Sequence, residues 1–153
     1  MKKILFLAAS CIIFWSCKNN EENNKPTIDT TIQEKQQETH NETSEVIELN
    51  NGKKWLINIE MKPFITEGQK LVDAFIKNNS TEYAALAKNL QLQNEQLIQS
   101  CTMDGKSHDE LHKWLHPHLE LVKELSATKD ASKAKELVAQ LQKSYHSFGE
   151  FFE

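Results

Sequence analysis

Four blocks of apolar residues at helical spacing occupy the chain from Glu60 to its end, and they restrict the possible folds severely. Met61, Phe64, Ile65, Leu71, Val72, Phe75 and Ile76 share one face of a first helix, about Glu60 to Asn78. Tyr83, Leu86, Leu90, Leu97 and Cys101 do the same for a second, about Thr81 to Cys101, with Asn94 at the border of the face. Leu111, Leu115, His118, Val122 and Leu125 define a third, starting at Ser107. Ala134, Leu137, Leu141, Tyr145, Phe148 and Phe152 define a fourth, after Lys129-Asp130. Each stripe must be buried against another, because a helix with one apolar face is stable only when that face is covered. The breaks between blocks are short: Asn78-Asn79-Ser80, Asp104-Gly105-Lys106 and Lys129-Asp130. Short loops between amphipathic helices predict an all-α, up-down-up-down four-helix bundle.

Local signals refine this expectation. Ser107 followed by Glu110 has the spacing of a capping box. Pro117 lies inside the third block and lacks the N–H that would reach Lys113, which predicts a kink or a split near His116. Ahead of the helices, Val46 to Leu49 and Lys54 to Ile57 flank Asn51-Gly52. Asn-Gly between apolar runs predicts a short β-hairpin, since both residues tolerate positive φ. A lone hairpin is marginal in water, so Trp55 is expected to lie against the helices.

The N-terminus reads differently. Lys2 and Lys3 precede an apolar run, Ile4 to Trp15, broken only by Ser10. That run is too short to span a bilayer comfortably and has the form of an export signal. Phe14-Trp15-Ser16-Cys17, a small residue before a Cys at the end of the run, resembles the lipobox of bacterial lipoproteins. The resemblance implies a signal peptide over residues 1–16 and a lipidated Cys17. Cys11, after Ala8-Ala9-Ser10, is the alternative lipidation position, and an unprocessed anchor the alternative outcome. Residues 18–45 hold no aromatic residue and only Ile28 and Ile32 as large aliphatics, too little to offset chain entropy. With the lipidated Cys they make a disordered tether, 17–45, reaching about 30 Å as a coil. Lys18, rather than Asp, follows the Cys, and by resemblance to lipoproteins this implies the outer membrane. Which face it would occupy is open.

That leaves residues 46–153 for one helical domain with its N-terminal hairpin, enough for a modest core. All 18 basic residues of the chain are Lys, and the net charge is −4. Without Arg forks or a basic stripe, nucleic acid is not an expected partner. The expected partner is the membrane, through Cys17; no protein partner is indicated. With Cys11 and Cys17 outside the domain, Cys101 is an unpaired thiol in an exported protein.

The segment CTMDGKSHDELHKWLHPH, Cys101 to His118, concentrates the chemistry: a thiol, a thioether and four of the six His. On a helical wheel with Leu111 at zero, His118 falls near −20°, His108 near 60°, His112 near 100° and His116 near 140°, at about 100° per residue. His118 therefore faces the core, His108 borders it, His112 flanks the bundle and His116 meets water. The four cannot share one buried ion. His108 and His112 have the i, i+4 spacing at which two imidazoles chelate a metal. Up-down topology brings the start of the first helix to the same end, so Met61 joins Cys101, Met103, His108 and His112 as a candidate ligand. Thiolate, thioether and imidazole together favour copper, with zinc next. The alternative is a cofactor-free structural or interaction lipoprotein, in which Cys101, Met61 and Met103 are packing residues. His146 is expected to be exposed.

Enzymatic readings fit less well. His108-Asp109-Glu110-Leu111-His112 resembles the zincin helix, His-Glu-x-x-His, but Asp follows the first His. A Cys101–His108 nucleophile pair has no visible oxyanion support. Covalent haem needs Cys-x-x-Cys-His, which is absent, and Met61 with His118 is poorly matched in height for axial haem ligation. No enzyme is expected. The segment Cys101 to His118, with LNNGKKW at Leu49 to Trp55 and EMKP at Glu60 to Pro63, is similar to small exported helical proteins of bacteria. That resemblance implies a shared helical domain over Leu49 to Glu153 and carries over no reaction and no ligand.

Overall fold

The computed structural model describes residues 46–153. The expected signal peptide and tether, with Cys11 and Cys17, lie outside the described residues. Four helices make up most of the rest: α1 Lys62–Lys77, α2 Tyr83–Gln99, α3 Gly105–Ala127 and α4 Ala131–Phe151. Each packs beside the next, and α4 returns to α1, in bundle-like fashion. Contacts across the seams run in opposite directions. Trp114 of α3 meets Phe148 of α4 while His118 meets Tyr145, and Gly68 of α1 meets Tyr145 while Asp73 meets Gln142. By these contacts α4 runs antiparallel to both α3 and α1.

The helix ends follow from local chemistry. Asn79 adopts φ 49°, and the N–H groups of Asn79 and Ser80 donate to the carbonyls of Ile76 and Phe75. This left-handed turn satisfies the last carbonyls of α1 and stops it. Asp130 caps α4, its Oδ1 accepting from the Ser132 and Lys133 N–H groups at 2.7 and 3.2 Å. The capping box predicted for α3 does not form. The helix starts earlier, at Gly105, and the Ser107 hydroxyl donates to the Asp104 carbonyl. Glu110 is turned away to a different task. Nor does Pro117 split α3, which continues through it to Ala127.

The core gathers the expected stripes: Val72, Leu90, Leu97, Leu111, Leu125, Leu137 and Leu141 are essentially sealed from solvent. Ile76 departs from its stripe and is exposed. Asn94 is buried, and its Nδ2 has no protein partner.

The hairpin reduces to its turn. Asn50 and Lys53 exchange backbone hydrogen bonds of 2.8 and 3.0 Å around Asn51 and Gly52, both at positive φ, as a two-residue Asn-Gly turn requires. No strand forms among the described residues. Trp55 pairs instead with the C-terminus, in a parallel bridge to Phe152. Its N–H donates to the Phe151 carbonyl at 2.8 Å, and its carbonyl accepts from Glu153 N–H at 2.9 Å. The physical reason is burial. Trp55 gains the core beside Phe152, which itself stacks on Phe148 at 5.0 Å. A two-stranded ribbon would leave Trp55 at the surface.

Residues 46–57 therefore form a strap across α3. The Glu48 N–H donates to Glu110 Oε2 at 2.8 Å, and Lys113 Nζ bridges Glu110 Oε1 at 2.9 Å and the Val46 carbonyl at 3.3 Å. Trp55 Nε1–H donates to the Glu48 carbonyl at 2.6 Å. Where the strap enters α1, the Asn58 side chain brackets Thr102, accepting from its N–H at 2.9 Å and donating to its hydroxyl. This pins the α2–α3 loop to the start of α1.

Candidate functional site

Three of the segment's histidines lie in a row on α3. His108, His112 and His116 follow one another at four-residue intervals, so their side chains climb one side of the helix. The Nε2 atoms of His108 and His112 stand 3.0 Å apart. On its other edge, His112 Nδ1 stands 2.9 Å from His116 Nε2. The rings meet edge to face, with centroids 4.3 and 4.7 Å apart. His108 and His112 are half-buried and His116 is exposed. His112 is thus the shared member, with one neighbour on each ring nitrogen.

The row offers pairs rather than a triad. His108 and His116 are eight residues apart, about 12 Å along the helix axis at 1.5 Å per residue. Among the described residues, no group of three or more His, Cys, Asp or Glu is gathered where it could hold one metal ion.

His118 belongs to a separate cluster. It is fully buried, stacked on Trp114 at 4.7 Å with an interplanar angle of 21°, and meets Tyr145 edge to face at 4.7 Å. Its Nδ1 shares a hydrogen bond of 3.0 Å with Ser144 Oγ, while its Nε2 has no protein partner. Burial pushes its pKa down to about 4, so the ring is neutral at neutral pH. Burial also pushes the Tyr145 hydroxyl above its usual range. Trp114 Nε1–H donates to the Ser144 carbonyl at 2.8 Å, tying the same two helices together. Beside this cluster an open groove of about 340 Å³ runs between α3 and α4, lined by Trp114, Pro117, His118, Leu121 and Ser144, with Ile47 of the strap.

The sulfur-bearing candidates pack with the core. Met61 is sealed from solvent, and Cys101 and Met103, half-buried, lie against the same apolar cluster. The Asn58–Thr102 bracket does hold the Cys101–Met103 loop at the Met61 end of the molecule. His146 is exposed on α4.

Two features of the site were not singled out by spacing. His116 is the third member of the row, although its helical angle sends it toward water. Its i, i+4 relation to His112 was the available signal. Glu110 is buried, at 2% exposure, as the anchor of the strap. Burial alone pushes its carboxyl up, but the Glu48 N–H, the Lys113 ammonium and the charge of Lys106 outweigh it and hold the pKa below the usual value. No protein-family model, curated protein or solved structure matches the chain.

Proposed function

We propose that this is a lipid-anchored envelope protein whose helical domain binds one divalent metal ion at His108 and His112, copper before zinc. The observation that carries the reading is the 3.0 Å between the two Nε2 atoms. With metal–nitrogen bonds of about 2.0–2.1 Å, ligands at a right angle stand about 2.9 Å apart and tetrahedral ligands about 3.3 Å apart. The spacing is nearer the first, and tetragonal nitrogen sites suit Cu2+. The Irving–Williams order favours the same ion over Zn2+. A small turn of the rings directs both lone pairs at one point beside the helix. Water or a partner's donor completes the coordination, so the site exchanges its ion readily. Buffering or hand-over fits this better than permanent storage.

In this reading the up-down-up-down bundle is a scaffold that supports α3, and no reaction is catalysed. Haem has no role. Cys101, Met103 and Met61 pack against the core and are not members of the pair. Cys17 carries the lipid, and the tether lets the domain sample the space by the outer membrane. Replacing Cys17 with Ala is expected to move the protein from the membrane to the soluble fraction; retention in the membrane would count against the anchor.

The test is Cu2+ titration of the full-length protein followed by electron paramagnetic resonance. One ion per chain with a nitrogen-ligated tetragonal spectrum is expected, lost in His108→Ala with His112→Ala. A stoichiometry unchanged by that double substitution would overturn the proposal. The second reading is a cofactor-free interaction protein, favoured by the open apolar groove between α3 and α4. It expects the double substitution to alter nothing but stability.

A further inference from the structure

His112 has both ring nitrogens committed, and this assigns a role to His116. A neutral imidazole carries one proton, so one nitrogen donates and the other accepts. If a metal takes Nε2 of His112, the proton must reside on Nδ1. That N–H then faces His116 Nε2 at 2.9 Å. We infer that His116 is a positioning residue for the metal site: it accepts the His112 Nδ1–H bond, fixes the tautomer of His112 and turns its Nε2 toward His108. The inference rests on the metal reading proposed above.

One set of tautomers satisfies the whole row. With the proton on Nδ1 in all three rings, His108 and His112 present bare Nε2 atoms to the ion, and His116 presents a bare Nε2 to His112. With the His112 proton kept on Nδ1 in the metal-free row, a proton on His108 Nε2 would close the 3.0 Å gap to His112 Nε2. The ion takes the place of that proton, and the ring that held it shifts the proton to its own Nδ1.

A site between His112 Nδ1 and His116 Nε2 is the geometric competitor, and two features disfavour it. Nδ1 adjoins the Cβ branch of the ring, so an ion there is crowded by the His112 side chain itself. His116 is exposed, whereas His108 and His112 are half-buried and lose less order on binding. Metal-bound imidazoles generally donate their second N–H to a fixed acceptor, and losing that acceptor weakens binding about 10–100-fold.

The experiment compares full-length wild type, His116→Ala and His116→Gln by Cu2+ competition titration, with pulsed resonance counting the bound imidazoles. Wild type is expected to show two imidazoles. His116→Ala should bind about tenfold more weakly or worse, with the count still two. His116→Gln, whose amide oxygen can accept, should recover most of the loss. Unchanged affinity in His116→Ala overturns the inference and leaves the metal reading standing. So does a count that drops in His116→Ala, because His116 would then be a ligand. Wild type that takes up no copper overturns both.

Discussion

Tyr145 of α4 sets its hydroxyl where a Cβ on Gly68 of α1 would stand. Gly68 is buried in mid-helix, a position where Ala is ordinarily better by about 1 kcal/mol. Here the missing side chain lets the two helices approach. Gly68→Ala should therefore lower stability, by about 1–2 kcal/mol, since overpacking costs about 1–3 kcal/mol and exceeds the propensity gain. Adding Tyr145→Phe should recover part of the loss by removing the overlapping oxygen. Urea unfolding of the two single variants and the double variant measures this. A more stable Gly68→Ala would mean that α1 and α4 do not meet so closely.

His118 makes the domain sensitive to mild acid. Its folded pKa, about 4, lies below the ordinary 6.5. Between these values the unfolded chain binds a proton that the folded chain refuses, so stability is full above pH 6.5 and falls as pH drops toward 4. The contribution lost is on the order of 3 kcal/mol, at 1.36 kcal/mol per pH unit. The comparison is wild type against His118→Leu, unfolded in urea at pH 7 and pH 4. The wild type should lose more stability than the variant over this interval. Equal losses would show that His118 is solvated when folded.

The apolar stripes made the four helices legible because burial of one helical face is a strong and local signal. His118 illustrates this: at −20° from Leu111 it had to face inward, and it does. The same wheel ordered His108, His112 and His116 from half-buried to exposed. What the wheel could not supply was pairing. Trp55 left its hairpin for Phe152 because a contact with the far end of the chain buries more surface than its sequence neighbours could. Glu110 looked like half of a capping box, yet a strap residue more than sixty positions earlier claimed its carboxylate. Met61, Cys101 and Met103 are soft donors and apolar residues at once, and composition does not separate those roles. The structure packs them against the core. Nor does any local pattern mark Gly68 as a contact point.

Glu110 holds the strap through charge-assisted hydrogen bonds, from the Glu48 N–H and Lys113. Glu110→Ala should cost about 1.5–3 kcal/mol, the range for hydrogen bonds to a charged group. Amide exchange at Glu48 and Trp55 should rise with it. Because the folded pKa is lowered, this contribution is present above the ordinary value of 4.5 and is lost as pH falls through the lower folded value. Glu110→Gln keeps an acceptor without the charge. Its stability deficit should therefore shrink as pH falls through the lowered folded value, where the wild-type carboxyl becomes neutral too. A deficit independent of pH would show that shape rather than charge holds the strap.

Pro117 lies in the interior of an unbroken α3, and its ring is exposed. It offers no N–H to the Lys113 carbonyl, one turn back. Proline in a helix interior costs about 3 kcal/mol relative to alanine. The exposed position leaves the surrounding packing to offset only part of that cost. Pro117→Ala should then raise stability by about 2 kcal/mol, with the helix path unchanged, and thermal unfolding provides the measurement. The same variant bears on the histidine row. His116 adjoins Pro117, and the substitution should leave the His108–His112 spacing intact, because both residues lie before the proline. Copper affinity is therefore expected to change little while stability climbs. If stability fell instead, Pro117 would be making contacts in the α3–α4 groove that outweigh its cost to the helix.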